Sequence, residues 1–273
     1  MQIPRFFIDS KSYDENVSAA LIDDPKLVHQ IARVLRLGIG APVILLNGKG
    51  DLFRCRIENQ DRDSIALFIE EKETATSEML PQLTIAMPLI KPSRFEWALE
   101  KLTELGATTI IPIITQRTIQ KSGQDAGDGK KKEGKTGNVK QERWHAIVKE
   151  AAEQSERYAI PKVVAPQNFS DFLKHTSKPF DADSEKRGQR LQYILAERNE
   201  CPHLFMHLSK EKADGGIAKH ISLCLGPEGG FTEREISLAA EAGLTLASLG
   251  KSILRSETAA VAAAAIVSAM RNT

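Results

Sequence analysis

Leu225-Gly226-Pro227-Glu228-Gly229-Gly230-Phe231-Thr232-Glu233-Arg234-Glu235 is the stretch on which the fold turns. It leaves the apolar run Ile221–Leu225, short enough for a buried strand, and enters a helix that runs to Gly243. Thr232 with Glu235 three residues on is a capping box, in which each side chain answers the other's free backbone N–H. Three glycines in five residues let the backbone approach a ligand, and a turn from strand into helix gathers N–H groups. Ligands of open α/β sheets bind at such strand ends. The same glycines would serve a merely tight turn, so the motif alone leaves both readings open. It is not the dinucleotide fingerprint: the spacing is G-P-E-G-G, and no acidic ribose partner stands about 20 residues on.

Downstream, Leu244–Leu249 is a further strand and Gly250-Lys251-Ser252-Ile253-Leu254-Arg255 a loop. Ser256 is placed to cap a final alanine-rich helix, with Glu257 in its first turn against the helix dipole. Gly250-Lys251-Ser252 imitates the end of a phosphate-binding loop, but position 245, where that motif needs glycine, is Thr. Arg255 and Glu257, with Ser252 nearby, make a second polar loop at a strand end, or else a solvated surface turn.

Upstream, Leu83–Met87 and Thr108–Ile114 are strands around a helix that begins at Pro92 and carries Phe95, Ala98, Leu99, Leu102 and Leu105 on one face. Arg143–Tyr158 has helical spacing, Val163-Val164 and Leu191–Ala196 are buried strands, and Lys174–Gln189 is a polar excursion. Strands alternating with helices imply an α/β unit with a mostly parallel sheet covered on both faces. Residues 1–79 differ. Val43–Leu46, Asn47-Gly48 and the alternating Leu52–Ile57 predict a hairpin, and Ser64–Ile69 a third strand. Pro25–Leu37 has helical spacing stopped by Gly38, and the polar run Glu70–Met79 is a linker.

At 273 residues the chain accommodates one large or two modest domains, and 41% hydrophobic residues exclude wholesale disorder. The net charge of +1 hides an asymmetry: residues 1–79 carry 10 basic and 13 acidic side chains, which leaves +4 for the remainder. Residues 121–143 hold seven Lys/Arg, four Asp/Glu and five Gly, as in a solvated loop or one that touches a phosphate backbone. Cys55, Cys201 and Cys224 are sparse and odd in number, which suggests reduced thiols in a cytosolic protein. The most apolar stretch, Ala259–Met270, is too short to span a bilayer, and no secretory signal or membrane association is expected. Cys201, His203 and His207 have ligand-like spacing but no completing cysteine pair or H-E-x-x-H, so a metal is not expected.

Two segments carry a resemblance: Leu225–Phe231 and Leu249-Gly250-Lys251-Ser252-Ile253-Leu254-Arg255-Ser256-Glu257-Thr258-Ala259. With Arg5-Phe6-Phe7, the Arg-Val-Leu-Arg core of His29–Leu37, Lys91, Glu100–Gly106 and Glu150–Ser155, they make the chain similar to bacterial 16S ribosomal RNA uridine-N3 methyltransferases of the SPOUT superfamily. The lysine- and glycine-rich stretch near 121–140 is longer than the family pattern.

The resemblance implies a PUA-like RNA-binding β-barrel over 1–73, a linker over 74–79, and a trefoil-knotted methyltransferase domain over 80–273. It implies S-adenosylmethionine bound by Leu195, Ala196 and Glu197, by Gly226, Pro227, Glu228, Gly229 and Gly230, and by Leu249, Gly250, Ile253 and Leu254. It further implies a cytoplasmic homodimer that methylates 16S ribosomal RNA of the small subunit near the decoding centre. Arg5, Arg33, Arg36, Gln154 and Arg157 are the RNA-binding candidates. Uracil N3 is a poor nucleophile until its proton leaves, so the site must orient the base, accept a proton and stabilise charge on the uracil oxygens. Arg255 is expected to stabilise that charge with its fixed donor fork; Glu257 is either the base or a helix cap. A SPOUT enzyme for another RNA would share the cofactor loops, whereas a catalytically silent RNA-binding protein would not need them.

Overall fold

The computed structural model describes residues 3–9, 11–14, 18–74, 82–118, 135–176, 190–196, 201–214 and 218–271. The chain forms two compact units, Met1–Met79 with Ala152–Ile160, and Leu80–Ala151 with Pro161–Thr273.

The first unit is built on a six-stranded sheet. Its strands are β1 (Arg5–Phe7), β2 (Tyr13–Asp14), β3 (Ala19–Ile22), β4 (Pro42–Leu46), β5 (Asp51–Gln60) and β6 (Ile65–Thr74), in the order β1-β4-β5-β6-β3-β2. The hairpin expected at Asn47-Gly48 is there: Leu46 pairs with Leu52, and the Asn47 side chain accepts from the N–H groups of Lys49 and Asp51 at 2.8 and 3.1 Å. β4 is apolar at successive positions because both its faces are covered. Val43 and Leu45 join one core with Phe6, Ile31, Phe53 and Ile57. Ile44 and Leu46 join a second with Phe7, Leu52 and Ala152, against which Tyr158 and Ile160 pack. The cover for that second face is thus the segment Ala152–Ile160, far along the chain. It is also fastened polarly: Glu153 accepts from the Phe7 N–H at 2.9 Å, and Arg5 pairs with Glu156 at 2.7 Å.

Two expectations for this unit change. The helix predicted over Pro25–Leu37 is α1 (Pro25–His29) followed by a π-helical turn, Gln30–Val34, in which the Leu35 N–H reaches the Gln30 carbonyl. The chain stops at Arg36 in the left-handed region (φ 53°), before Gly38. The extra residue per turn keeps Ile31 fully buried while Arg33, Val34, Leu35 and Arg36 are all exposed. The linker begins later than its polarity suggests, because Glu70–Thr74 continue β6 even though four of these five residues, all but Glu73, are exposed; residues 75–79 lie outside the described residues.

The second unit is a parallel sheet. β7 (Gln82–Pro88), β8 (Ala107–Ile114), β10 (Gln167–Asn168), β11 (Arg190–Leu195), β12 (His220–Leu225) and β13 (Thr245–Ala247) lie in the order β10-β8-β7-β12-β11-β13, and β9 (Lys162–Val163) pairs with β8. β11 sits between β12 and β13, so the chain passes over β11 between its last two strands. The helices are α2 (Pro92–Glu104), α3 (Lys135–Gln154, its last residues in the first unit), α4 (Phe169–Thr176), α5 (Leu204–Ala213), α6 (Glu233–Glu241) and α7 (Ser256–Arg271). α4 and α5 were not expected. Phe95 of α2 stacks on Trp144 of α3 with centroids 4.8 Å apart. Ala260, Ala263, Ala264 and Val267 of α7 are fully buried, and these small side chains let the helix lie close on α2, α5, β7 and β12. The basic stretch at 121–134 and residues 177–189 lie outside the described residues.

Glu153→Ala removes the acceptor of the Phe7 N–H at the edge of the first unit's outer core. A loss of about 1–3 kcal/mol is expected, read as an earlier urea transition of that unit.

Candidate active site

Register places three loops side by side. Leu195, the last residue of β11, pairs with Leu225 of β12 on one side and Ala247 of β13 on the other. The residues that follow, Ala196, Gly226 and Ser248, therefore emerge together at the C-terminal edge of the sheet, and the Ala196 N–H donates to the Ala247 carbonyl at 3.2 Å. A cavity of about 390 Å³ opens there. Its walls are aliphatic and aromatic: Leu195, Leu225, Phe231, Ile236, Leu249, Ile253 and Leu254. Among the lining residues, the ionisable side chains are Glu228 and Arg117.

Each wall is held by a specific contact. Gly230 has φ 70°, a conformation that favours glycine, and its N–H donates to the Pro227 carbonyl at 2.8 Å, which folds the loop back. Glu235 completes the capping box, accepting the Thr232 N–H at 2.9 Å, while its other oxygen accepts the Gln116 N–H at 2.8 Å. This buried carboxylate thereby ties the end of β8 to the start of α6. Next to Gln116, Arg117 lies across the glycine loop: Nη1 donates to the Gly229 carbonyl at 2.9 Å, and a Cβ on Gly229 would sit 3.3 Å from the Arg117 side chain. Phe231 stacks on Phe169 with centroids 5.4 Å apart.

Ser256 behaves differently from expectation. It is the first residue of α7, not its cap: its hydroxyl donates to the Gly226 carbonyl at 2.9 Å, and the Arg255 carbonyl accepts the first helical N–H, from Ala259, at 2.8 Å. The serine joins the last helix to the glycine loop.

The structure brings most of the residues assigned to the cofactor into one wall system. Leu195, Ala196, Gly226, Pro227, Glu228, Gly229, Gly230, Leu249, Gly250, Ile253 and Leu254 all line the cavity, and Glu197 lies outside the described residues. Arg255 is exposed between the lining residues Leu254 and Ser256, with no side-chain partner among the described residues. Glu257 is not part of the wall. It is buried, with Oε1 3.5 Å from Nε of Arg94, while Nη1 of Arg94 donates to Glu228 Oε1 at 2.6 Å. Arg94 and Arg117 were missed because their roles are tertiary; an arginine in a helix's first turn or just past a strand carries no periodic signal.

The RNA-binding candidates all fall in the first unit. Arg33, within the π-helical turn, and Arg36, just past it, are exposed, and so is Gln154. Arg5 is held against Glu156. Arg157 is half-buried, and burial pushes its guanidinium down to about 10, still protonated at neutral pH. His203 caps α5 by accepting the Phe205 N–H at 3.1 Å, and His207 lies against the Tyr193 ring at 5.3 Å.

Comparison with known proteins agrees with this geometry. A family model described as an RNA methyltransferase domain matches residues 77–268, and one described as an RNA methyltransferase PUA domain matches 22–70. Ribosomal RNA small subunit methyltransferase E of Synechocystis is 35% identical over 243 residues, 89% of this chain and 71% of that protein. The protein of that name from Bacillus subtilis is 28% identical over 97% of this chain and 95% of its own. A crystal structure of ribosomal RNA small subunit methyltransferase E from Neisseria gonorrhoeae bound to S-adenosyl methionine superposes with a TM-score of 0.75 at 27% identity, covering 97% of this chain and 96% of that one. With a cavity built at the paired ends of β11, β12 and β13 and both family models matched, this chain belongs to the RNA methyltransferase family that joins a methyltransferase domain to a PUA domain.

Proposed function

We propose that this chain transfers a methyl group from S-adenosylmethionine to N3 of a uridine in 16S ribosomal RNA near the decoding centre. The observation that carries the reading is the cavity, because most of its wall comes from the same two segments, Leu225–Phe231 and Leu249–Ala259, that bear the family resemblance. The donor set fits the cofactor: apolar walls suit an adenine ring, the backbone of the glycine loop suits its polar edge, and Glu228 and Arg117 suit a ligand with both charges. S-adenosylmethionine supplies a methyl group already activated by a sulfonium, and the protein's tasks are orientation and proton and charge management.

This chain's residues divide those tasks. Arg117 and Ser256 hold the glycine loop from either side. Arg255, exposed beside the cavity, presents its donor fork to the uracil oxygens as they gain charge. Glu257 acts through Arg94. In the first unit, Arg33 and Arg36 contact phosphates, with Gln154 and Arg157 as further RNA contacts. A trefoil-knotted path is part of the reading; the return of the chain to the far side of β11 supports it. So is a cytoplasmic homodimer. Phe205, Met206 and Ile253, all exposed in the second unit, support its self-association, and among the described residues no helix is long and apolar enough to cross a membrane.

Gly229→Val forces Arg117 off the glycine loop. S-adenosylmethionine affinity is expected to fall by about tenfold or more, read by calorimetry, with the fold retained. Arg255→Ala is expected to cut single-turnover methylation by about 10²–10³ with little change in cofactor affinity, and Arg255→Lys to fall between. Arg33→Ala is expected to weaken RNA binding evenly across sequences and to lower the salt dependence of binding by about one ion.

A further inference from the structure

Arg94, Glu228 and Glu257 form a triad from three elements: the first turn of α2, the loop after β12 and the first turn of α7. It holds one cation and two carboxylates, so its formal charge is −1 with both acids ionised. The two acids are not equivalent. Glu257 is 91% buried by side chain, faces Arg94, and its Oε2 is enclosed without a hydrogen-bond partner among the described residues. Glu228 is 46% exposed by side chain and lines the cavity. Arg94 occupies its Oε1, and Oε2 has no hydrogen-bond partner among the described residues.

We infer that Glu228 is the catalytic proton acceptor for uracil N3, with Arg94 and Glu257 as positioning residues. The inference rests on the uridine-N3 reading above and adds what that reading lacks, a destination for the proton. Among the described residues, Glu228 is the one carboxylate in the cavity wall, and its side chain is partly exposed. Arg94 fixes its rotamer through Oε1 and leaves Oε2 for the base. Glu257 holds Arg94 from behind and cannot itself reach the ligand, since it does not line the cavity. The N3–H bond breaks, its electron pair stays on N3, and the proton forms an O–H bond on Glu228, which brings the triad to zero charge. The pair on N3 takes the methyl group, the electrons of the broken C–S bond stay on sulfur, and Glu228 later returns its proton to water. The charged groups that face this carboxylate are Arg94 from α2, Glu257 from α7 through Arg94, and Arg117 from the end of β8, bonded one residue further along the loop.

Glu228→Gln tests this directly, because the amide oxygen can still accept from Arg94 but cannot take a proton. The variant is compared with the unaltered protein on 16S ribosomal RNA, free and assembled into small subunits, made with uridine or with the more acidic 5-fluorouridine. The expected result, at saturating S-adenosylmethionine, is a single-turnover rate lower by about 10²–10⁴ on uridine, whatever change in cofactor affinity calorimetry reads. That rate should rise with pH in proportion to hydroxide, without the plateau of the unaltered protein, and the deficit should shrink about tenfold or more on 5-fluorouridine. A variant that loses cofactor affinity but keeps its rate at saturation would overturn the inference and make Glu228 a cofactor ligand. An equal deficit on both bases with an unchanged pH profile would overturn it too. Absence of N3-methyluridine from the products of the unaltered protein would instead overturn the uridine-N3 reading itself.

Discussion

The pairing of β11 with β12 on one edge and β13 on the other is the constraint from which the site follows. Because Leu195 meets Leu225 and Ala247 at one level, the chain must change direction three times within a few ångströms. Three parallel strands that end together send three loops around one space. Neither the glycine loop nor the loop at Leu249–Leu254 would enclose anything without the other. A slip of one residue in either pairing would turn the wall side chains to the opposite face of the sheet.

Polar fastening then converts that convergence into a fixed shape. Glu235 is buried, and its two oxygens serve different elements: one closes the cap of α6 and the other holds the end of β8. Ser256 does the same between α7 and Gly226, and Arg94 between α2, the glycine loop and α7. The loops are consequently braced by helices on both faces of the sheet, and the cavity's apolar walls need no polar groups of their own to keep their places. Site geometry of this kind is costly to disturb locally, since the Glu235 and Ser256 braces pair buried polar side chains that would otherwise be left unsatisfied.

Much of this was legible in the residues. Thr232 and Glu235 announce a capped helix, Asn47-Gly48 a hairpin, and the alternation of apolar runs with helical stretches a parallel sheet, because each of these signals is local. The legible part of the site is likewise the part made of consecutive residues, Gly226–Gly230 and Leu249–Leu254. What escaped is what depends on distant partners. Ser256 has the composition of a helix cap, yet its hydroxyl is used by a carbonyl 30 residues away. The helix pattern of Pro25–Leu37 gives no sign of a π-helical turn, since Ile31 and Val34 fit either winding. Arg94 and Arg117 are ordinary surface residues until the sheet closes around them.

The fold of the first unit also has a consequence for the order in which the chain matures. The strands β1 to β6 are complete once residue 74 has been made, but the outer face formed by Phe7, Ile44, Leu46 and Leu52 receives Ala152, Tyr158 and Ile160 only after about as much chain again has been added. During synthesis that face stays bare while β7, α2, β8 and α3 emerge, and the first unit is the earlier to start and yet must wait for part of the second. A chain that pauses or is cut between residues 80 and 150 therefore carries a finished sheet with an uncovered apolar side. Such a surface is a natural target for chaperones and proteases, and it makes the two units one object for quality control although each has a core of its own.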